Sequence, residues 1–258
     1  MRFASLGSGS AGNSMVIEHA STCLLLDCGF SMKETLLRLE RLGLAAEQMT
    51  GVLVTHEHDD HAKGAFKLAE KLQIPVWLSH GTHVMTERYH PKKSTVSINI
   101  IDSHTSFVID DIQVMPFPVP HDAREPTQFV FSEGQHKLGV LTDTGASTPH
   151  IEEMLSGCDA LVLECNHDST MLDSGPYSYA LKKRIGGQLG HLDNNSAANL
   201  LTKLDNSKLK HIVAAHLSAK NNTGVLAKQA LSKALNCEEN WVGIATQQDG
   251  FDWRVCNT

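Results

Sequence analysis

The stretch His56-Glu57-His58-Asp59-Asp60-His61 gathers three imidazoles and two aspartates within six residues, in the pattern H-x-H-x-D-H. Imidazole and carboxylate are the ligand types that divalent ions of borderline softness, such as zinc, accept. His56 and His58 lie two apart, so in an extended segment they point to the same side. Asp60 and His61 follow at the turn. One short loop thus offers donors to two adjacent ions. A His-rich run can also be an adventitious surface metal binder. The context argues against that here, because similar residue types recur later in the same kind of place.

The elements around the loop explain how it is held. Gly51-Val52-Leu53-Val54-Thr55 is apolar and predicts a buried strand over 52–55. Ala62 to Leu72 has helical spacing, with Phe66, Leu68, Ala69 and Leu72 toward the core. The motif is therefore a strand-to-helix loop. Four more candidates follow strand-like runs: Asp27 after Cys23 to Leu26, His121 after Ile112 to Val119, Asp143 after Leu138 to Thr142, and His216 after His211 to Ala215. In open α/β sheets, ligands bind beyond the carboxyl ends of strands. Five such ends can converge on one edge. A lone Asp after a strand is usually a turn residue or helix cap, so the argument rests on their joint order.

Elsewhere the pattern predicts strands over 2–6, 14–19 and 22–27, with a Gly/Ser loop between the first two. A helix spans Met32 to Leu42 and ends at Gly43. Strands follow near 75–79, 97–101, 106–109 and 112–117. The second half repeats the theme, with strands at 128–132, 137–142, 160–164, 211–215, 241–245 and 250–255. Its helices fall near 149–155, 176–185, 195–204 and 224–235. The Gly/Ser loop lacks the Gly-Lys-Ser/Thr of a nucleotide P-loop, so ATP binding is not indicated. Its backbone N–H groups are placed either for a tight turn or for a phosphate.

The 258 residues are expected to form one domain, 1–258, because candidates spread from 27 to 216 must meet. Six cysteines without C-x-x-C spacing read as reduced core residues of a cytoplasmic protein. No signal peptide and no long apolar run is seen, so no membrane partner is expected. A net charge of −7 argues mildly against tight nonspecific duplex binding, although bound cations would reverse the local sign. Basic clusters stand at Lys92-Lys93, Lys182-Lys183-Arg184, and Lys203, Lys208 and Lys210. The middle one precedes Gly186-Gly187 and is placed to reach a nucleic-acid backbone, although an exposed helix face is the more ordinary explanation of each cluster.

The order Asp, H-x-H-x-D-H, His, Asp, His resembles the metallo-β-lactamase superfamily from Asp27 to His216. That resemblance implies an α/β fold, the four-layer αβ/βα sandwich of two β-sheets flanked by helices. It implies two divalent ions, Zn2+ or Mn2+. One would take His56, His58 and His121, the other Asp60, His61 and His216, with Asp143 bridging. Asp27 would hold a ligand imidazole in place. True β-lactamases of the main class carry Cys where this chain has Asp143, and a carboxylate bridge suits phosphodiester or thioester hydrolysis. Flavodiiron proteins carry Glu where this chain has His58.

Further motifs resemble nucleases of that superfamily. Gly190-His191-Leu192-Asp193 and Leu163-Glu164-Cys165-Asn166-His167 are similar to RNase Z segments, as is His216-Leu217-Ser218. They imply His191 as proton donor or phosphate contact, tuned by Glu164, with Asp60 holding the metal or its bridging hydroxide. The role of His167 stays open. Only residues 122–142 separate His121 from Asp143, which leaves no room for a tRNA-binding arm. Gly7-Ser8-Gly9-Ser10-Ala11-Gly12-Asn13-Ser14 and the pair Asn221-Asn222 most resemble the compact YycJ (WalJ)-type, exonuclease-like group. The expected function is a dinuclear metal-dependent hydrolase acting on nucleic acid as substrate, with DNA favoured. The alternatives are a small-molecule phosphodiesterase or thioesterase on the same fold, and a non-enzymatic metal-binding protein. Oligomeric state is not legible.

Overall fold

The computed structural model describes residues 1–92 and 94–257; Lys93, half of one basic pair, lies outside the described residues. The chain opens with β1 (Arg2–Gly7), β2 (Ser14–His19) and β3 (Thr22–Leu26), then α1 (Met32–Arg41) and β4 (Gly51–Leu53). After these come α2 (Asp59–Ala62), α3 (Ala65–Leu72), β5 (Val76–Ser79), α4 (His80–Thr86) and β6 (Ile98–Ile101). The second half contains β7 (Phe107–Ile109), β8 (Ile112–Pro118), β9 (Thr127–Ser132), β10 (Lys137–Leu141), α5 (Pro149–Leu155) and β11 (Ala160–Glu164). It continues through α6 (Ser169–Ser174), α7 (Tyr179–Ile185), α8 (Asn194–Lys203), β12 (His211–Ala215), α9 (Gly224–Leu235), β13 (Val242–Ile244) and β14 (Phe251–Val255).

Two seven-stranded sheets result, ordered β14-β1-β2-β3-β4-β5-β6 and β13-β12-β11-β10-β9-β8-β7. Each changes from antiparallel to parallel pairing part-way across, at β3 in the first sheet and β10 in the second. Alternation along the strands builds the layers. In β3, Leu24 and Leu26 face the other sheet, where they meet Phe129, Phe131 and Val213, whereas Cys23 and Leu25 pack under the helix layer with Leu39 and Phe66. In β11, Val162 faces the sheet interface and Leu161 and Leu163 face Leu200 and Leu231 of α8 and α9. Apolar residues on both faces explain why these strands read as continuous apolar runs. The architecture is the helix–sheet–sheet–helix sandwich expected from the sequence.

The local departures have physical causes. The strand expected over 52–55 ends at Leu53, because the Thr55 amide leaves the ladder and donates to the Asp27 side chain at 2.8 Å. The expected helix over 62–72 divides into α2 and α3 at Lys63-Gly64. There the chain passes so close to Phe30 that a Cβ on Gly64 would sit 2.1 Å from its carbonyl oxygen. Leu72, expected in the core, is half-buried at its margin. Two short helices escaped the sequence reading. α4 is capped by Ser79 and α6 by Asp168, each accepting from a first-turn amide. Their compositions carry little helical periodicity, so capping and packing define them.

The H-x-H-x-D-H loop is clamped by backbone. Asn13 N donates to Asp60 O at 2.7 Å, Gly29 N to Asn13 O at 3.0 Å, and Cys28 N to His61 O at 2.8 Å. The approach is close enough that a Cβ on Gly29 would lie 1.7 Å from Asp60 O. Gly29→Ala is therefore expected to force this loop away from the β3 end and to destabilise the fold by about 1–3 kcal/mol or more. A urea midpoint equal to wild type would show that the clamp yields freely.

Candidate metal centre

The sandwich brings Asp27, His56, His58, Asp60, His61, His121, Asp143, Glu164, His191 and His216 to one edge. Asp27 follows β3, Asp143 follows β10 and His216 follows β12. All three adopt the left-handed backbone conformation, with φ of 60°, 52° and 53°. This turn swings the chain off the strand and sends the side chain over the sheet edge. It costs on the order of 1 kcal/mol at each non-glycine position, and such strain clusters at functional sites.

One group of donors is His56, His58 and His121, whose ligand atoms lie within 4.8 Å of one another. Their outer contacts decide which nitrogen faces inward. His121 Nδ1 is 3.0 Å from Gly190 O, and His58 Nε2 is 3.2 Å from Asp122 O. A carbonyl only accepts, so these nitrogens carry the proton, leaving His121 Nε2 and His58 Nδ1 as lone-pair donors. Those two atoms stand 3.4 Å apart. His56 Nδ1 contacts Thr55 Oγ1 at 3.0 Å, which leaves its Nε2 inward.

A second group is Asp60, His61 and His216. His61 Nδ1 is 2.7 Å from Asp27 Oδ2, so Asp27 orients that ring. His61 Nε2 then faces Asp60 Oδ2 at 3.6 Å and Asp143 Oδ2 at 3.1 Å. His216 Nε2 is 3.4 Å from Asp60 Oδ2. Asp143 stands between the two groups and also joins His56 and His61 in a set of its own.

Beside them, Glu164 is fully buried and acts as a hub. Its Oε1 is 2.8 Å from His191 Nδ1 and 3.2 Å from His216 Nδ1. Its Oε2 accepts from the amides of Thr144 at 3.0 Å and Leu192 at 3.1 Å. His191 lines the pocket over the cluster, a space of about 300 Å³ shared with Ser10, Leu181, Arg184 and Ile185. His167 stands apart from the cluster, its Nδ1 3.3 Å from Asn166 Oδ1.

The residues fit a metal ion. His56 Nε2 is buried without a hydrogen-bond partner, and the buried oxygens of Asp143 face only imidazole nitrogens, among them His61 Nε2 at 3.1 Å and His216 Nδ1 at 3.4 Å, out of good hydrogen-bond alignment. Native structures rarely leave such atoms orphaned, and an ion is one standard reason that they do. Without metal, charge is balanced by protons. Burial pushes the His216 imidazole down, but Asp143, Asp60 and Glu164 outweigh it and raise its pKa to about 10. Burial likewise opposes, and Asp143, Asp27 and Asp60 overcome, a strong upward shift at His61. Burial would raise the Glu164 carboxyl, yet His191 and His216 hold it down at about 2. His56 goes the other way, kept neutral by burial and by the neighbouring His61.

Several participants had weak sequence signals. Asn13 Nδ2 lies 3.2 Å from Asp60 Oδ2 and 3.0 Å from His61 Nε2. It sits inside the Gly/Ser motif, whose Ser8 Oγ also accepts from His216 N at 2.9 Å. That loop thus serves as a support for the centre. Thr55 touches Asp27, His56 and His61 from one hydroxyl. Asp122 follows His121 directly and binds Arg184 at 2.6 Å. Only their adjacency to the motifs marks them in the sequence.

Both the sequence and the fold have counterparts among known proteins. Residues 22–216 match the family described as "Beta-lactamase superfamily domain". The chain is 36% identical over 244 residues to exodeoxyribonuclease YycJ of Bacillus anthracis, covering 95% of this chain and 92% of that protein. It is 31% identical over 245 residues to exodeoxyribonuclease WalJ of Streptococcus pneumoniae, covering 94% and 91%. The solved metallo-β-lactamase fold protein YhfI from Bacillus subtilis superposes with a TM-score of 0.76 at 14% identity, covering 98% of both chains. The chain therefore belongs to the beta-lactamase superfamily, in the branch that holds the YycJ and WalJ proteins.

Two outcomes follow from the geometry. Asp143→Asn keeps a residue that tolerates the left-handed backbone and removes only charge. It is expected to lower metal content per chain, measured by plasma emission, with the circular dichroism of wild type; unchanged content would exclude Asp143 as a donor. Metal uptake should also release protons at pH 7, since His61 and His216 are raised in the metal-free form and must deprotonate to bind. Apparent affinity should then rise with pH up to the raised pKa. Calorimetry in buffers of different ionisation enthalpy would reveal this, and buffer-independent heats would contradict it.

Proposed function

We propose that this metal-dependent hydrolase cleaves phosphodiester bonds in nucleic acid, as an exonuclease with DNA as its favoured substrate. The observation that carries the reading is the meeting of two three-donor groups on the Asp143 carboxylate, with the His191–Glu164 pair beside it. Two divalent ions, Zn2+ or Mn2+, held by His56, His58 and His121 and by Asp60, His61 and His216 across Asp143, would supply Lewis acidity and a nucleophilic water at neutral pH. The exodeoxyribonuclease relatives support the choice of DNA.

The chain's own groups divide the remaining work. Asp60 faces the pocket on the second group and is steadied by Asn13. Arg184, held by Asp122, stands at the pocket mouth and is largely exposed, well placed for a phosphate oxygen. His191 has its Nδ1 fixed by Glu164, which leaves Nε2 available to the pocket that His191 lines. Burial opposes protonation of His191, but Glu164 and Asp143 win and raise its pKa. A protonated His191 is a donor for the leaving oxygen, a contribution on the order of 10²–10⁴-fold. The six cysteines are free, which suits a reducing compartment, the cytoplasm. Among the described residues, no helix is long and apolar enough to cross a membrane.

The test is a gel assay with end-labelled single- and double-stranded DNA and RNA, beside His58→Ala. Stepwise shortening by the wild type alone is expected. Intact polymers throughout would overturn the nuclease reading. His191→Ala should lose about 10²–10⁴-fold in turnover and keep its metal. Loss of metal in that variant would make His191 a ligand and remove it as the proton donor.

A further inference from the structure

The helix α7 separates two clefts. Leu181, Arg184 and Ile185, spaced i, i+3, i+4, line the pocket over the metal centre. Tyr179, Lys182, Lys183 and Gly186, spaced i, i+3, i+4, i+7, line a second cleft of about 720 Å³. Helical periodicity puts these two sets on different faces. No residue of α7 is buried. A helix this short, with no buried stripe, gains little from packing on its own protein. The turn after it joins the two spaces: Gly186 and Gly187 line the second cleft, Gly190 and His191 the first. A chain-like substrate leaving the metal pocket therefore meets the second cleft next.

We infer that this second cleft is the track for a single strand of nucleic acid whose end lies in the metal pocket. The inference rests on the phosphodiesterase reading above and adds where the rest of the polymer runs. Three features fit that occupant. Tyr179 is 81% exposed at the cleft edge, a large aromatic face that a base can cover. Lys182 and Lys183 give the cleft two cations in a chain whose net charge is −7. Lys182 spends one N–H on Asp173 O at 2.6 Å, and among the described residues no carboxylate pairs with either ammonium. Two acids share the wall with the lysines: Asp173, whose backbone carbonyl takes the Lys182 N–H, and Asp193, which is occupied as the cap of α8. Asp193 accepts from the Asn195 and Ser196 amides and the Ser196 hydroxyl. The floor includes His167, buried and joined to Asp193 by a strand-like bridge, so the residue left open by the sequence has a place beneath the strand.

The test uses the metal-loaded protein and a fluorescent phosphorothioate dodecadeoxynucleotide, which resists cleavage, with affinity read by anisotropy across a salt series. Each lost phosphate contact flattens the salt slope by about 0.7 for a single strand, so Lys182→Ala/Lys183→Ala should flatten it by about 1.4. Lys182→Arg/Lys183→Arg should restore it. Tyr179→Ala should weaken binding about tenfold with the slope kept. In turnover, the ratio of kcat/KM on an unmodified dodecanucleotide to that on a dinucleotide should fall about tenfold in the alanine variants. Wild-type affinity, slope and length preference in all variants, with the wild type still degrading DNA, would overturn the track and leave the nuclease reading intact. A wild type that hydrolyses only a small phosphodiester and binds no oligonucleotide would overturn both.

Discussion

A carboxylate sealed from water must be compensated by positive charge, and Asp143 is the one on which this fold turns. It is 1% exposed, and its oxygens face imidazole nitrogens, His61 Nε2 at 3.1 Å and His216 Nδ1 at 3.4 Å. Desolvation of such a group costs several kcal/mol unless cations stand beside it. His61 and His216 supply them as imidazolium when no metal is present, which holds the Asp143 carboxyl well below its usual range despite burial. A divalent ion satisfies the same demand more fully. The architecture has to deliver donors from both sheets to this one point.

It does so with a repeated device. Parallel strands at the centre of each sheet end at the same edge, and left-handed residues at Asp27, Asp143 and His216 turn the chain outward there. Around them, each imidazole is set by an outer partner: Asp27 for His61, Gly190 O for His121, Asp122 O for His58, Glu164 for His191 and His216. Because Glu164 contacts both His216 and His191, a candidate metal donor and the proposed proton donor share one buried anchor. A change at Glu164 would be felt in metal affinity and in proton transfer together, since the effects of linked residues do not add. The backbone clamp from Asn13 and Gly29 fixes the loop that carries three of the imidazoles.

Much of this was legible in the residues. The strands failed to match only at their ends, because alternation and apolar runs are local signals and buried central strands make them strong. The two short helices α4 and α6 were invisible for the converse reason: a single capped turn or two has almost no period to read. The break at Lys63-Gly64 comes from the close pass of Phe30, a contact between segments that no local pattern encodes. Among site residues, those in H-x-H-x-D-H and at strand ends could be named from spacing. Asn13, Thr55 and Asp122 act through hydrogen bonds to residues far away in the chain, and nothing in their residue type distinguishes them from ordinary loop polar groups.

The sequence by itself determined the kinds of donor, their order along the chain and the alternating layers that would bury them, because those follow from side-chain chemistry and from the periods of strand and helix. Only the tertiary structure decided which nitrogen of each imidazole faces inward. It also decided that Glu164 reaches residues 27 and 52 positions away, and that α7 stands between two clefts. Those facts depend on sheet order and on backbone carbonyls contributed by distant loops. Such carbonyls are the same in every residue, so the sequence carries no mark of which of them will be used.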